Sequence, residues 1–174
     1  LAEISTAIAD GLQGAGVDKL DLLGFDACLM ATYEVATTLA PLADLMVASE
    51  ELEPGHGWDY RSLAVLAESP TATADDLGNA ILDGFQAQAR TEGTDAEITL
   101  SLLDLTKIGE LDTAIADLAV AVSERAAAVA PAIGAARANT IGFGRSPDPS
   151  VDSHMTDLGQ LVSQIGVDAL DLSD

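Results

Sequence analysis

The stretch Leu20-Asp21-Leu22-Leu23-Gly24-Phe25-Asp26-Ala27-Cys28-Leu29-Met30 decides the fold. Residues 20–27 are mostly a continuous apolar run, the pattern of a strand covered on both faces. Such a strand needs helices above and below it, and the flanking sequence supplies them. Ala2–Leu12 carries Ile4, Ile8 and Leu12 at helical spacing, and Gly14 and Gly16 break the pattern. Ala31–Leu42 predicts a helix, and Asp44–Ser49 a second buried strand. Glu50–Tyr60, with Pro54, Gly55 and Gly57, is a loop. Helices are expected at Arg61–Glu68 and at Ala74–Arg90, the second capped by Thr73. Glu97–Asp104 is a third strand, and Lys107–Ala130 a long Ala-rich helix. Ala138–Thr156, with Gly142, Gly144, Pro147 and Pro149, is mostly loop, and Asp157–Ile165 a last helix. Strands alternating with helices predict an α/β sheet with helices on its faces. Residues 20–27 and 45–49 are expected as adjacent parallel strands in the sheet centre, with Cys28 at their carboxyl edge.

The 174 residues, 48% of them hydrophobic, have room for one domain with a sizeable core. No repeat, low-complexity segment or clear linker interrupts them. No apolar run reaches the roughly 18–20 residues that span a bilayer. The chain starts at Leu1 rather than Met and carries no visible signal peptide, which predicts a fragment or a processed chain with residues upstream. Its 29 acidic and 7 basic residues give a formal charge of −22. That charge repels nucleic acid and anionic membranes, so neither is an expected partner. It attracts cationic peptides or divalent metals. The plainer reading is a solvated acidic surface, as suits a salt-loving or high-G+C organism.

Cys28 is the only cysteine, which excludes an intrachain disulfide and a Cys-rich zinc site. A lone cysteine is by default a small buried hydrophobe. This one follows a strand and precedes a helix, and active sites of open α/β sheets collect at the carboxyl ends of strands. A nearby helix N-terminus lowers a thiol's pKa and offers N–H groups to an oxyanion. Asp26 lies two residues earlier. On an extended strand such a pair shares one face, roughly 6.6–7 Å apart, which suits a carboxylate at the bottom of a pocket beside a nucleophile. The carboxylate disfavours the thiolate, so a cation, a His or a substrate Arg or Lys, is expected to offset it.

The quoted stretch resembles the nucleophile strand of the clostripain family of cysteine peptidases. Ala48-Ser49-Glu50-Glu51-Leu52-Glu53-Pro54-Gly55-His56-Gly57-Trp58-Asp59-Tyr60 resembles that family's next strand and loop, and Asp157-Leu158-Gly159 matches more weakly. The resemblance implies a caspase-like three-layer α/β sandwich, with a central, mostly parallel sheet whose N-terminal strands are missing here. Residues 1–174 would then be the C-terminal, nucleophile-bearing part of a peptidase domain. The implied reaction is endopeptidase cleavage after Arg or Lys by a His–Cys dyad. Cys28 is the implied nucleophile, and Asp26 the residue holding the basic P1 side chain, the one before the scissile bond. The dyad His falls before Leu1, on an upstream segment or light chain of the same protein, because such proteins are often cut between the His and the Cys. The implied partners are peptide or protein substrates with a basic P1 residue. The implied location is secreted or cell-envelope, in a bacterium or archaeon.

Glu50, Glu51 and Asp59 are expected to add negative potential around the same pocket, Glu50 and Asp59 as substrate-binding residues. His56 and His154 follow the Cys, against the family order, and are expected as surface loop histidines. Gly142-Phe143-Gly144 is no dinucleotide fingerprint, since Pro147 stands at the third glycine position. Asp148, Ser150 and Asp152 are spaced like an EF-hand start, but Gly159 stands where Glu would close the loop. No metal ligand set is expected, although a looser calcium site among the acidic loops stays open. Trp58 lines a cleft or caps the sheet edge. The alternative function is a non-catalytic relative acting as an interaction or calcium-binding domain.

Overall fold

A computed structural model describes residues 1–146, 148 and 150–165. The chain divides into two compact units, Leu1–Ile108 and Gly109 onward, with no sequence linker between them.

The first unit runs α1 (Ala2–Ala15), β1 (Leu20–Gly24), α2 (Tyr33–Leu39), β2 (Ala43–Ala48), a 3-10 turn (Tyr60–Ala64), α3 (Val65–Glu68), α4 (Ala74–Glu92), β3 (Ser101–Asp104) and a second 3-10 turn (Leu105–Lys107). The sheet order is β1-β2-β3. β1 and β2 are parallel, with Leu23 beside Met46, whereas β3 is antiparallel to β2, with Leu103 beside Met46. β2 is central, as expected. β1 lies at an edge of the described sheet instead of its centre. Leu23, Met46 and Leu103 pack against Ile8 of α1 and Val35 and Leu39 of α2. Leu22, Val47 and Leu102 pack the other way, against Ile81 and Phe85 of α4 and against Trp58. Period-two alternation thus divides three apolar strands between two cores and produces three layers.

Local chemistry sets the element ends. α1 runs past Gly14, because glycine inside a helix only costs about 1 kcal/mol. It stops at Gly16, which adopts the left-handed conformation and returns its N–H to Gln13 and Leu12. α2 is shorter than 31–42, because the Ala31 N–H goes to the Ser49 carbonyl and Thr32 caps the first turn through Val35 N. Thr73 caps α4 as expected, with Asp76 completing a reciprocal capping box. Gly78 brings α4 directly onto β3, since a Cβ there would lie 2.7 Å from Leu102.

The second unit contains α5 (Ile108–Glu124), α6 (Ala126–Asn139), a two-stranded antiparallel ribbon β4 (Gly142–Phe143) and β5 (Met155–Thr156), and α7 (Leu158–Ile165). The single helix expected over 107–130 is broken at Arg125, whose carbonyl takes the N–H groups of both Ala128 and Val129. α6 then continues to Asn139, shortening the expected loop, and Val129 and Ala136 pack with Ile165. No helix of the described residues is long and apolar enough to cross a membrane.

Candidate active site

The ladder of β1 ends at Gly24, and Phe25 makes one more bond, its N–H to Val47 O at 2.9 Å. Asp26, Ala27 and Cys28 therefore lie in a turn beyond the strand, all exposed. This corrects the expectation that residues 20–27 are all strand and that Asp26 and Cys28 share a strand face. The turn closes on Leu29, whose φ of 60° is left-handed for a non-glycine residue. Leu29 N–H donates to Glu51 O at 3.2 Å, and Ala31 N–H to Ser49 O at 2.9 Å. These two bonds override the local backbone preference. α2 begins at Tyr33, two residues later than expected, with four residues between it and Cys28.

The loop after β2 forms the other wall. Buried Ser49 fixes its start: the hydroxyl donates to Glu51 O at 2.9 Å and accepts from Glu51 N at 3.1 Å. Thr99 Oγ1 accepts from the Glu50 and Glu51 N–H groups, each at 3.1 Å. Held this way, the loop brings Glu53 N–H to 3.3 Å from Cys28 Sγ. Further along, Trp58 N–H and Tyr60 O–H both donate to Asp26 Oδ2, at 3.2 and 2.9 Å. Gly57 makes this approach possible: its φ is 63°, and a Cβ there would sit 2.9 Å from Asp26 Oδ2. Trp58 itself is buried over Gly24 and belongs to the sheet core, with its indole N–H donating to Glu53 Oε1 at 3.3 Å.

Glu53 was not among the residues the sequence singled out. Its second oxygen, Oε2, is buried without a hydrogen-bond partner. Burial pushes its carboxyl up to about 7, helped by the neighbouring Asp26 carboxylate and opposed by the Trp58 indole. The bond to Asp26 also raises the Tyr60 hydroxyl, with smaller contributions from burial and the two acids. The site thus holds a thiol and two facing carboxylates, and among the described residues neither carboxylate has a cationic partner. The signal for Glu53 lay in the sequence as an acid before Pro54-Gly55, but only the loop's path shows that it meets Asp26.

The other candidates are engaged elsewhere. Glu50 accepts a 2.6 Å bond from Ser101 on β3. Asp59 caps the 3-10 turn and forms a two-pronged pair with Arg61, whose hydrogen bond holds its carboxyl below the usual range. Glu51 caps Leu52 N with its own side chain. His56 is half-buried rather than a surface residue: Nδ1 donates to Gly57 O at 2.7 Å, and Nε2 meets Thr94 Oγ1 at 2.9 Å. In the second unit, exposed His154 sits beside Asp152 at 3.4 Å. Asp148 accepts from Ser150, and Asp152 from Arg145 and the His154 backbone. Among the described residues no three His, Cys, Asp or Glu side chains gather in a way that could hold a metal ion. Pro147 and Pro149 of that loop lie outside the described residues.

The model of the clostripain peptidase family matches residues 1–164, almost the whole chain. The chain belongs to the clostripain family. No curated protein matches it. Among solved structures it is similar to a clostripain from Bacteroides thetaiotaomicron bound to a peptide inhibitor, at 21% identity and a TM-score of 0.53, over 92% of this chain and 63% of that one. A B. fragilis cysteine protease is similar at 20% identity and a TM-score of 0.58, over 97% and 67%. An inactive zymogen protease from Parabacteroides distasonis follows at 20% and 0.55, over 89% and 42%. The α/β fold is therefore that of the clostripain-family proteases. This chain spans about two thirds or less of their lengths.

Proposed function

We propose that residues 1–174 are the nucleophile-bearing part of a cysteine endopeptidase that cleaves after Arg or Lys. The observation that carries the reading is the Cys28 thiol, exposed in a strained turn and flanked by two carboxylates without a cation. Asp26 and Glu53 form the acidic receptor for the P1 side chain. A P1 guanidinium there gains charge-assisted hydrogen bonds that fix the scissile carbonyl over the thiol. The inhibitor in the B. thetaiotaomicron clostripain, BTN-VLTK-AOMK, carries a Lys. Glu50 and Asp59, already partnered by Ser101 and Arg61, add only to the surrounding potential.

We place the general base on a His outside this chain: His56 has both ring nitrogens engaged, and both His56 and His154 follow the Cys, against the family order. It takes the thiol proton, and Cys28 Sγ attacks the peptide carbonyl. Backbone N–H groups stabilise the oxyanion. The Cys28 N–H is suited to this, because the bonded groups of the turn are those of Leu29 and Ala31. The His then gives its proton to the leaving amine, and water hydrolyses the thioester. Secretion fits the reading, since a similar B. thetaiotaomicron protease is a secreted one.

The test is Cys28→Ala in the full-length protein. Cleavage of Arg and Lys peptides should fall to background while the circular dichroism spectrum stays unchanged. Activity near wild type would remove Cys28 from the mechanism, and a wild-type protein inert toward all peptides would favour a non-catalytic relative.

A further inference from the structure

Glu53 has a feature that a simple acidic pocket does not explain. Its Oε1 receives the Trp58 indole N–H, yet its Oε2 is buried and receives nothing. The neighbour it faces is another carboxylate, Asp26, which is itself held by Trp58 N–H and Tyr60 O–H. A buried carboxylate oxygen with no donor is costly. The same oxygen bearing a proton becomes a donor, and Asp26 is the acceptor in place.

We infer that Glu53 and Asp26 share one proton when the pocket is empty, and that a basic side chain enters by displacing it. Basic-residue recognition is then an exchange of one cation for another. The empty pair carries one negative charge, and so does the pair of two carboxylates with a bound guanidinium or amidinium. The proton leaves to solvent. The inference rests on the reading of this pair as the P1 receptor and adds what its resting state is and how pH sets affinity.

Among the described residues no other group facing the pair does the same. Tyr60 donates to Asp26 and keeps its proton, since that bond raises its hydroxyl above the ordinary range. Trp58 is an N–H donor only. Asp59 is turned to Arg61, His56 to Gly57 and Thr94, and the Glu51 side chain to Leu52 N. Cys28 contacts Glu53 through the backbone N–H and not through the carboxyl.

A carboxyl titrating near 7 is protonated below that pH, so a cation must expel the proton there and finds the pair already ionised above it. Apparent affinity should rise about tenfold per pH unit up to about 7 and then level off. From pH 5 to pH 8 the gain is on the order of hundredfold.

The experiment is calorimetry of benzamidine binding to the Cys28→Ala chain, in which no thiol contributes, in pairs of buffers with different heats of protonation. Close to one proton should be released per benzamidine at pH 6 and almost none at pH 8.5, with neutral benzamide bound far more weakly. Glu53→Gln should bind benzamidine without proton release and without the pH slope. Asp26→Asn, which removes the facing charge, should move the slope to lower pH without abolishing it, because burial of Glu53 is the larger cause of its raised carboxyl and remains. Binding to the unsubstituted pair with no proton released at pH 6 would overturn the shared proton and leave the basic pocket standing. Release that persists in Glu53→Gln would overturn it as well. A chain that binds benzamidine at no pH would overturn the receptor reading itself.

Discussion

Gly57→Ala should damage both the first unit's stability and the acidic pocket. Gly57 has a φ of 63°, a region that costs an L-residue about 1–2 kcal/mol. The new methyl would also lie 2.9 Å from Asp26 Oδ2 and 3.2 Å from Oδ1. The backbone cannot easily yield, because Gly57 N–H is bonded to Pro54 O at 3.1 Å and its carbonyl to His56. Asp26 must therefore move and release Trp58 N–H, on a residue only 8% exposed. An unsatisfied buried donor costs about 1–3 kcal/mol. Since the two effects overlap, the expected loss is about 2–4 kcal/mol. Trp58 is the chain's single tryptophan, so denaturant unfolding followed by its fluorescence reports on this unit alone. Gly55→Ala is the control, because a Cβ there meets nothing within 4 Å. Benzamidine affinity should fall with Gly57→Ala, whereas alkylation of Cys28 by iodoacetamide should slow little. A loss below about 0.5 kcal/mol with unchanged affinity would show that Asp26 is not wedged against Gly57 as described.

Three further outcomes are expected. Asp26→Ala in the full-length protein should lower kcat/KM for an Arg substrate by about tenfold to a hundredfold, or 1–3 kcal/mol. The larger cost of breaking a fully buried pair does not apply to this exposed carboxylate, and a P1 panel with unchanged Arg/Lys preference would remove it from the pocket. Glu53 should make the chain less stable as pH rises: its carboxyl is raised from 4.5 to about 7, so its favourable contribution is complete below about 4.5 and is lost as pH climbs through about 7. After allowance for solvent screening the change is on the order of 1–2 kcal/mol. Denaturation midpoints at pH 5 and pH 8 should show it in the wild type and not in Glu53→Gln. Leu29→Val should destabilise by about 1–2 kcal/mol, because a β-branched residue tolerates the left-handed region poorly, whereas Leu29→Gly should stay within about 1 kcal/mol of the wild type. Equal stabilities for the two variants would contradict the strained turn.

Much of the frame is local and was legible. The apolar runs around Leu22 and Met46 become the adjacent parallel strands β1 and β2, since burial on both faces leaves its mark residue by residue. Thr73 announced the start of α4, because a cap satisfies N–H groups only two or three residues away. Cys28 could be placed beyond a strand end for the same reason. What the tertiary structure decided depends on groups far apart in the chain. β1 stops at Gly24 because the next residues turn toward the loop that Ser49 and Thr99 hold. β3 runs antiparallel to β2, a direction no apolar pattern encodes. The break at Arg125 falls within a stretch whose composition is helical throughout. Above all, Glu53 meets Asp26 only because Gly57 and Trp58 fold the loop back over the strand end. Periodicity and capping are short-range and survive in the sequence as pattern. The meeting of two acids on separate loops depends on hydrogen bonds that form only when the chain has closed on itself.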